Sequence, residues 1–155
     1  MTKIITLSSG KECLVDDDVY EWASANKWSD DGRGYAIRRV RDGRNSTEKM
    51  HRLIMNAKEG EYVDHINGIP WDNRRENLRI TTNQQNCFNR GLYATNTTGY
   101  KGVSKIKSSG RYVASIHLDY KKRHLGVFAT ALEAARAYDK AAIELHGEYA
   151  VINGV

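Results

Sequence analysis

Cysteine and long apolar runs are both scarce in this chain of 155 residues, and each scarcity excludes a class of protein. The two cysteines, Cys13 and Cys87, stand far apart, so we expect neither a disulfide scaffold nor a cysteine metal site. No segment approaches the roughly 18 apolar residues of a membrane-spanning helix, and the polar start Met1-Thr2-Lys3 does not have the pattern of a secretory signal. We therefore expect an intracellular, cytoplasmic protein with free thiols and no membrane partner.

Positive charge is in excess and is unevenly distributed along the chain. Lysine and arginine number 24 against 19 acidic residues, which gives a formal net charge of +5. Residues 1–98 carry 15 basic and 14 acidic side chains, whereas residues 99–155 carry 9 and 5, so the net charges are +1 and +4. The small polar stretch 93–99 has the composition of a linker. These features predict domains at 1–92 and 100–155 and favour a polyanionic partner.

The N-terminal domain begins with short β-rich segments and one helix start. Strands are predicted at 4–7, 12–15 and 35–40, and a helix begins in the acidic run Asp16-Asp17-Asp18. Such a run could bind a metal ion. An acidic run before a helix more often caps the helix N-terminus and stays in solvent, and we adopt that interpretation.

The C-terminal domain changes from a strand period to a helical period. The β-rich segments 102–106, 111–118 and 121–128 are separated by turn residues and predict a three-stranded antiparallel sheet. A capping-box sequence from Thr130 to Glu133 then begins a helix that ends near Gly147. The three-strand span holds seven basic residues and one acidic residue. A solvated lysine face is the common alternative, but this ratio favours a nucleic-acid surface.

Residues 100–153 resemble the ethylene-response-factor (APETALA-type) DNA-binding domain. The resemblance is carried by Tyr100-Lys101-Gly102-Val103, by 112–116, by Leu125-Gly126-Val127-Phe128 and by the helix sequence 133–142. It implies that the sheet, not the helix, enters the major groove of DNA. By position it implies DNA contacts at Lys101, Ser104, Lys105, Lys107, Arg111, His117, Lys122 and His124. The plant domains place several arginines and tryptophans there, so we do not expect the plant target sequence to transfer.

The stretch from Tyr62 to Arg90 has the pattern strand, irregular loop, strand, helix. Asp64 and His65 are adjacent near the end of the first strand, and Asn86 lies in the predicted helix. Hydrolysis of a phosphodiester needs a base for water and a divalent cation at the phosphate. An imidazole fits the base, and a carboxylate with an amide oxygen are hard ligands suited to one Mg²⁺.

The same stretch looks like the HNH (ββα-metal) homing endonucleases, especially the single-metal nicking type of phages and introns. The resemblance covers about 35–90, with the ββα-metal core at about 50–90. Matched by position, it implies that Asp64 binds the metal, that His65 is the general base and that Asn77 pins the loop that bears the base. Asn86 falls on the last motif position, where many members have histidine. An amide oxygen there remains a plausible ligand for Mg²⁺ or Mn²⁺.

Four further residues near this motif are candidates for supporting roles. His51 matches the family in the sequence His51-Arg52-Leu53, and we favour a structural or phosphate-proximal role over a second base. Arg74, Arg75 and Arg79 are candidate phosphate contacts, although a solvated arginine-rich surface is the alternative.

Together these patterns predict an α+β fold, with an N-terminal ββα-metal nuclease module followed by a three-stranded sheet packed on one helix. The expected function is a site-specific DNA endonuclease that nicks one strand of double-stranded DNA with one Mg²⁺ or Mn²⁺. We expect a monomer or weak dimer without an obligate protein partner. A non-cleaving DNA-binding regulator that retains an inactive HNH fold is the alternative. An RNA-binding or RNA-cleaving protein is a weaker one, because the basic sheet has few stacking aromatics.

Overall fold

The computed structural model describes residues 1–40 and 46–155, and the chain divides into two units, Met1–Asn83 and Gln84–Val155. Helices and strands are mixed in both units, which confirms the predicted α+β class. The predicted linker 93–99 lies within the second unit. In chain order the elements of the first unit are β1 (Thr2–Thr6), β2 (Glu12–Asp16), α1 (Asp17–Ser24), β3 (Ser29–Asp30), β4 (Ala36–Val40), β5 (Ser46–Lys49), α2 (Met50–Ile54), β6 (Tyr62–His65) and β7 (Leu78–Thr81). A single 3-10 turn, Arg75–Asn77, precedes β7.

Antiparallel pairs build the first unit. Strands β1 and β2 form a hairpin, β3, β4 and β5 form a sheet in that order, and β6 pairs with β7. Alternation places one side of each hairpin in a common core, because successive strand residues point to opposite faces. That core is formed by Ile5, Leu7, Cys13, Val15, Val19, Ala23, Trp28, Ala36, Met50, Ile54, Val63 and Leu78.

The acidic run at the start of α1 does not cap the helix through its side chains, which corrects the expectation from sequence. Asp16 is the N-cap residue, but its carboxylate makes no capping hydrogen bond. It accepts instead from the backbone N–H of Arg75 at 2.7 Å, and Asp18 accepts from Nη1 of the same residue at 2.7 Å. A long-range partner therefore competes successfully with the local amides. Asp17 and Asp18 still lie in the first helical turn, where negative charge is favourable.

The second unit is a three-stranded antiparallel sheet with one long helix, as predicted. Its elements are α3 (Asn83–Phe88), which starts at the last residue of the first unit, β8 (Val103–Lys105), β9 (Tyr112–Leu118), β10 (Lys121–Phe128), α4 (Ala131–His146) and a 3-10 turn, Gly147–Tyr149. The sheet order is β10-β9-β8, and a register shift lies between His124 and Gly126. Ala134, Ala135 and Ala142 are fully buried on α4. Small side chains let this helix approach the sheet closely.

The start of α4 confirms the capping box. Thr130 Oγ1 accepts from the N–H of Glu133 at 3.2 Å, and Glu133 Oε2 accepts from the N–H of Thr130 at 3.3 Å. Two of the orphan amides of the helix start are thereby satisfied. Among the described residues, none of the helices has the length and apolar content needed to cross a membrane.

Candidate active site

The two central candidates, Asp64 and His65, are neighbours at the end of β6, in the hairpin that β6 forms with β7. Asp64 is 6% exposed and His65 is 5% exposed. The register places Asp64 opposite Arg79 and His65 opposite Leu78. Burial of two adjacent polar side chains costs solvation free energy unless each has hydrogen-bond partners. Asp64 and His65 both have such partners.

Asp64 is held by Arg79 from the neighbouring strand. Nε and Nη2 of Arg79 both donate to Oδ2 of Asp64, at 3.1 and 2.9 Å. Both side chains are largely buried. A buried carboxylate of this kind needs a positive partner, and loss of that partner is strongly destabilising. The site is therefore already built to keep one cationic group beside Asp64.

Asn77 closes the loop between the two strands. Its Oδ1 accepts from the backbone N–H of Asn67 at 2.9 Å, and its Nδ2 donates to the carbonyl of Asp72 at 2.8 Å. The backbone N–H of Ile66 donates to the carbonyl of Asn77 at 2.8 Å. These bonds join both ends of the loop through one buried amide side chain. They are what the predicted loop-pinning role of Asn77 requires.

His65 contacts a second asparagine, Asn73, which the sequence reasoning did not single out. Nε2 of His65 lies 3.3 Å from Oδ1 of Asn73. Burial lowers the pKa of His65 from its ordinary value, while the bond to Asn73 and the charges of Asp64 and Asp72 act in the opposite direction. The imidazole is therefore neutral at pH 7 and able to accept a proton.

Tertiary contacts that the sequence does not reveal hold Asn73 in place. Asn73 is completely buried. Its backbone N–H donates to the carbonyl of Leu14 at 2.8 Å, and the N–H of Leu14 donates to the carbonyl of Trp71 at 2.8 Å. The loop is thus attached to β2. The pair Asp72-Asn73 in the motif was the one available sequence signal.

His51 lies beside His65, in a group of three rings. The His51 and His65 centroids are 5.1 Å apart, and Tyr35 lies 5.2 Å from His51 and 5.8 Å from His65. His51 is 4% exposed, and its Nδ1 has no hydrogen-bond partner among the described residues. Burial, followed by the nearby His65, Lys49 and Arg52, lowers the pKa of His51 to about 3. His51 is therefore a neutral, packed ring next to the site.

Each of the three candidate arginines is engaged with a carboxylate. Arg74 donates from Nε and Nη2 to Asp72 at 2.8 and 2.7 Å, and from Nη1 to Glu76 at 2.7 Å. Arg75 pairs with the exposed Asp18, and Arg79 with Asp64. The bond from Arg74 lowers the pKa of Asp72. Phosphate contact by Arg74 or Arg79 would therefore compete with a carboxylate.

Asn86 lies on α3, in the second unit, and its side chain is half-buried. Among residues 1–40 and 46–155, no group of three or more His, Cys, Asp or Glu side chains could hold a metal ion. Asp64 offers one carboxylate, a hard oxygen ligand of the kind that Mg²⁺ accepts while it keeps several waters.

The candidate DNA contacts of the second unit are mostly exposed. Lys101 differs, because its Nζ donates to the carbonyl of Phe88 at 2.6 Å and burial lowers its pKa to about 8. Nη2 of Arg111 donates to the carbonyl of Val127 at 3.2 Å, and the ammonium of Lys105 lies 5.8 Å from the centroid of Tyr112. The exposed candidates are Ser104, Lys105, Lys107, Arg111, His117, Lys122 and His124.

Comparison with known proteins agrees with this site. A family model described as HNH endonuclease matches residues 48–87, which include α2, β6, β7 and most of α3. An uncharacterized HNH endonuclease of Acanthamoeba polyphaga mimivirus is 31% identical over 148 residues, which cover 94% of this chain and 76% of the relative. The chain belongs to the HNH endonuclease family. The family acts on DNA, and its members generally use a divalent metal.

Two other relatives of this HNH endonuclease each cover a smaller share of the chain. Protein 3.8 of Escherichia phage T7 is 30% identical over 92 residues, 59% of this chain and 75% of the phage protein. An AP2-like ethylene-responsive transcription factor of Arabidopsis thaliana is 34% identical over 102 residues, 64% of this chain and 28% of the plant protein. The plant match is partial.

The buried His51 predicts acid sensitivity of the first unit. Between pH 6.5 and about 3 the unfolded chain binds a proton at His51 that the folded chain does not, so stability falls as the pH is lowered through this range. We expect His51→Phe to flatten the pH dependence of the unfolding free energy by up to about 1.4 kcal/mol per pH unit. Urea unfolding followed by tryptophan fluorescence reports the first unit, which holds Trp22, Trp28 and Trp71.

The exposed His124, changed to Phe, is the matched control for this measurement. Equal flattening in both variants would contradict the assignment to His51.

Proposed function

We propose that this HNH endonuclease is a site-specific, metal-dependent enzyme that nicks one strand of double-stranded DNA as a monomer. The observation that supports the proposal most is that a buried, neutral imidazole, that of His65, directly follows the buried carboxylate of Asp64 on β6. A neutral imidazole can take a proton from water, and a carboxylate can bind a cation at the phosphate. The family match covers both residues.

His65 is the general base in this proposal. It takes a proton from a water molecule, whose oxygen then attacks phosphorus, and the bond between phosphorus and the 3′ oxygen breaks. The leaving oxygen receives a proton from solvent. Asn77 holds the loop that follows His65, so that the imidazole does not swing away from the attacking water. Asn77 takes no part in proton transfer.

Asp64 and Asn86 are the proposed ligands of one Mg²⁺ or Mn²⁺. The assignment of Asn86 rests on its position in the motif, and that of Asp64 on its buried, cation-paired carboxylate. A divalent cation bound there would offset negative charge on the scissile phosphate and on the leaving oxygen. Arg79 would share or release the carboxylate and turn to the phosphate, where a guanidinium donates two hydrogen bonds. Arg74 and Arg75 are proposed to contact flanking phosphates.

The C-terminal sheet is the proposed reader of the target. Its basic side chains lie on the exposed part of a small sheet whose inner residues, Ala114 and Ile116, are buried. The fold, the charge and the partial match to a plant transcription factor support an APETALA-type DNA-binding domain. Lysine is a good phosphate partner and a weaker reader of guanine than arginine. Affinity from this domain should therefore depend strongly on salt.

The first test compares the wild type with His65→Ala on a supercoiled plasmid with Mg²⁺, Mn²⁺ or EDTA. We expect metal-dependent conversion to open circles and a rate at least about a hundredfold lower in the variant, because the base is lost. Lys140→Ala, an exposed change on α4, should cut like the wild type. Full activity of His65→Ala would overturn the assignment, and linear product would point to paired active sites.

The second test measures DNA affinity against salt for a Lys105→Gln and Lys122→Gln double variant. If both lysines contact phosphates, the slope of log affinity against log salt should fall by roughly two, since each contact contributes about 0.9. Filter binding with a duplex that the wild type cuts gives both slopes. Lys140→Gln changes the net charge at an exposed position on α4 and serves as the control. If Lys140→Gln also lowered the slope by about 0.9, the loss would reflect net charge in general and not DNA contacts on the sheet.

A further inference from the structure

A chain of buried hydrogen bonds runs from the first hairpin to His65. The thiol of Cys13 on β2 donates to Sδ of Met50, with the sulfurs 3.7 Å apart. Cys13 Sγ also accepts from Nδ2 of Asn73 at 2.7 Å. Oδ1 of Asn73 lies 3.3 Å from Nε2 of His65. Both Cys13 and Asn73 are completely buried, so water does not compete for these bonds.

The orientation of the Asn73 amide determines which nitrogen of His65 holds the proton. An amide oxygen only accepts, so the proton of a neutral His65 must sit on Nε2 when Oδ1 faces it. Nδ1 then carries the lone pair that takes a proton from water. If the amide were turned around, its NH₂ group would face Nε2, and the proton of the imidazole would move to Nδ1.

Cys13 sets that orientation. Burial raises the pKa of Cys13 to about 11, so at neutral pH it is a thiol that donates a hydrogen bond to Sδ of Met50 and accepts one from Nδ2 of Asn73. The backbone keeps the two side chains together, because the N–H of Asn73 donates to the carbonyl of Leu14, the neighbour of Cys13.

We propose that Asn73 and Cys13 are positioning residues, which hold His65 in the tautomer with the proton on Nε2. The inference rests on the proposed role of His65 as general base. Cys13 reaches no substrate and acts only through Asn73. We therefore expect a change at this buried thiol to affect the rate of DNA cleavage.

The direct test is the tautomer of His65, read from the side-chain nitrogen shifts of ¹⁵N-histidine-labelled protein near pH 8, where a neutral imidazole is expected. The wild type should show protonated Nε2. Cys13→Ala and Asn73→Ala should shift His65 toward a mixture of tautomers, whereas Cys13→Ser, whose hydroxyl can still accept from Asn73, should stay close to the wild type. Cys13→Val keeps a buried apolar side chain and should behave like Cys13→Ala, which separates the lost acceptor from a cavity.

Cleavage rates at saturating DNA give the second readout. We expect about a tenfold to hundredfold loss for Asn73→Ala and a loss of several-fold for Cys13→Ala, with unchanged DNA affinity and recovery in Cys13→Ser. Cys87→Ala removes the other cysteine and should change neither readout. A wild-type His65 protonated on Nδ1, or a Cys13→Ala protein with unaltered tautomer and rate, would overturn the inference.

The two proposals fail in different ways. If His65→Ala cut DNA normally, the general-base role would be wrong, although the tautomer readout would still test the effect of Cys13 on the ring. If His65→Ala were inactive while Cys13→Ala and Asn73→Ala kept both the tautomer and the rate, the general base would stand and the positioning role would not.

Discussion

The burial of an imidazole next to a carboxylate is the constraint on which this site depends. Neither group can lose water without a partner, because an unpaired buried polar group costs more than a typical hydrogen bond contributes. The hairpin supplies the partners from opposite directions: Arg79 across the strands for Asp64, and Asn73 from the loop for His65. Asn77 then closes the loop that carries Asn73. A single hairpin thus holds both chemical groups.

The attachment of the loop to β2 links the HNH motif to the strands that precede it. The motif alone has few core residues, chiefly Met50, Ile54, Val63 and Leu78. The bonds between Leu14 and the loop residues Trp71 and Asn73 extend the β1–β2 hairpin to the site. Asp16 and Asp18 hold Arg75 at the other end of the same loop. The N-terminal strands therefore hold the loop between β6 and β7 as well as contributing to the core.

The proposed division of labour follows from the charge distribution. A nearly neutral first part carries the proposed chemistry, and a basic second part carries the proposed recognition surface. When a nuclease domain and a DNA-binding domain of low affinity are joined, the overall affinity for DNA rises, because the second binding event occurs at high effective concentration.

Local patterns were sufficient to predict most strands, the capping box of α4 and the order strand, strand, helix in the motif, since these depend on periodicity and on residues a few positions apart. The contact of Asn73 with Cys13, 60 positions away, has no local signature. The contact of Arg75 with Asp16 has no local signature either, and it occupies a carboxylate that would otherwise be available to the helix amides. Helix α2, with only five residues, is too short for a helical period to be visible.

In the proposed mechanism Asp64 is a metal ligand, and Arg79 balances its negative charge until a cation and DNA bind. Anomalous scattering from crystals of His65→Ala with DNA and Mn²⁺ tests it most directly. We expect a manganese peak within coordination distance of the Asp64 carboxylate and an Arg79 side chain turned toward phosphate. An intact Asp64–Arg79 pair with manganese bound to the DNA elsewhere would contradict it.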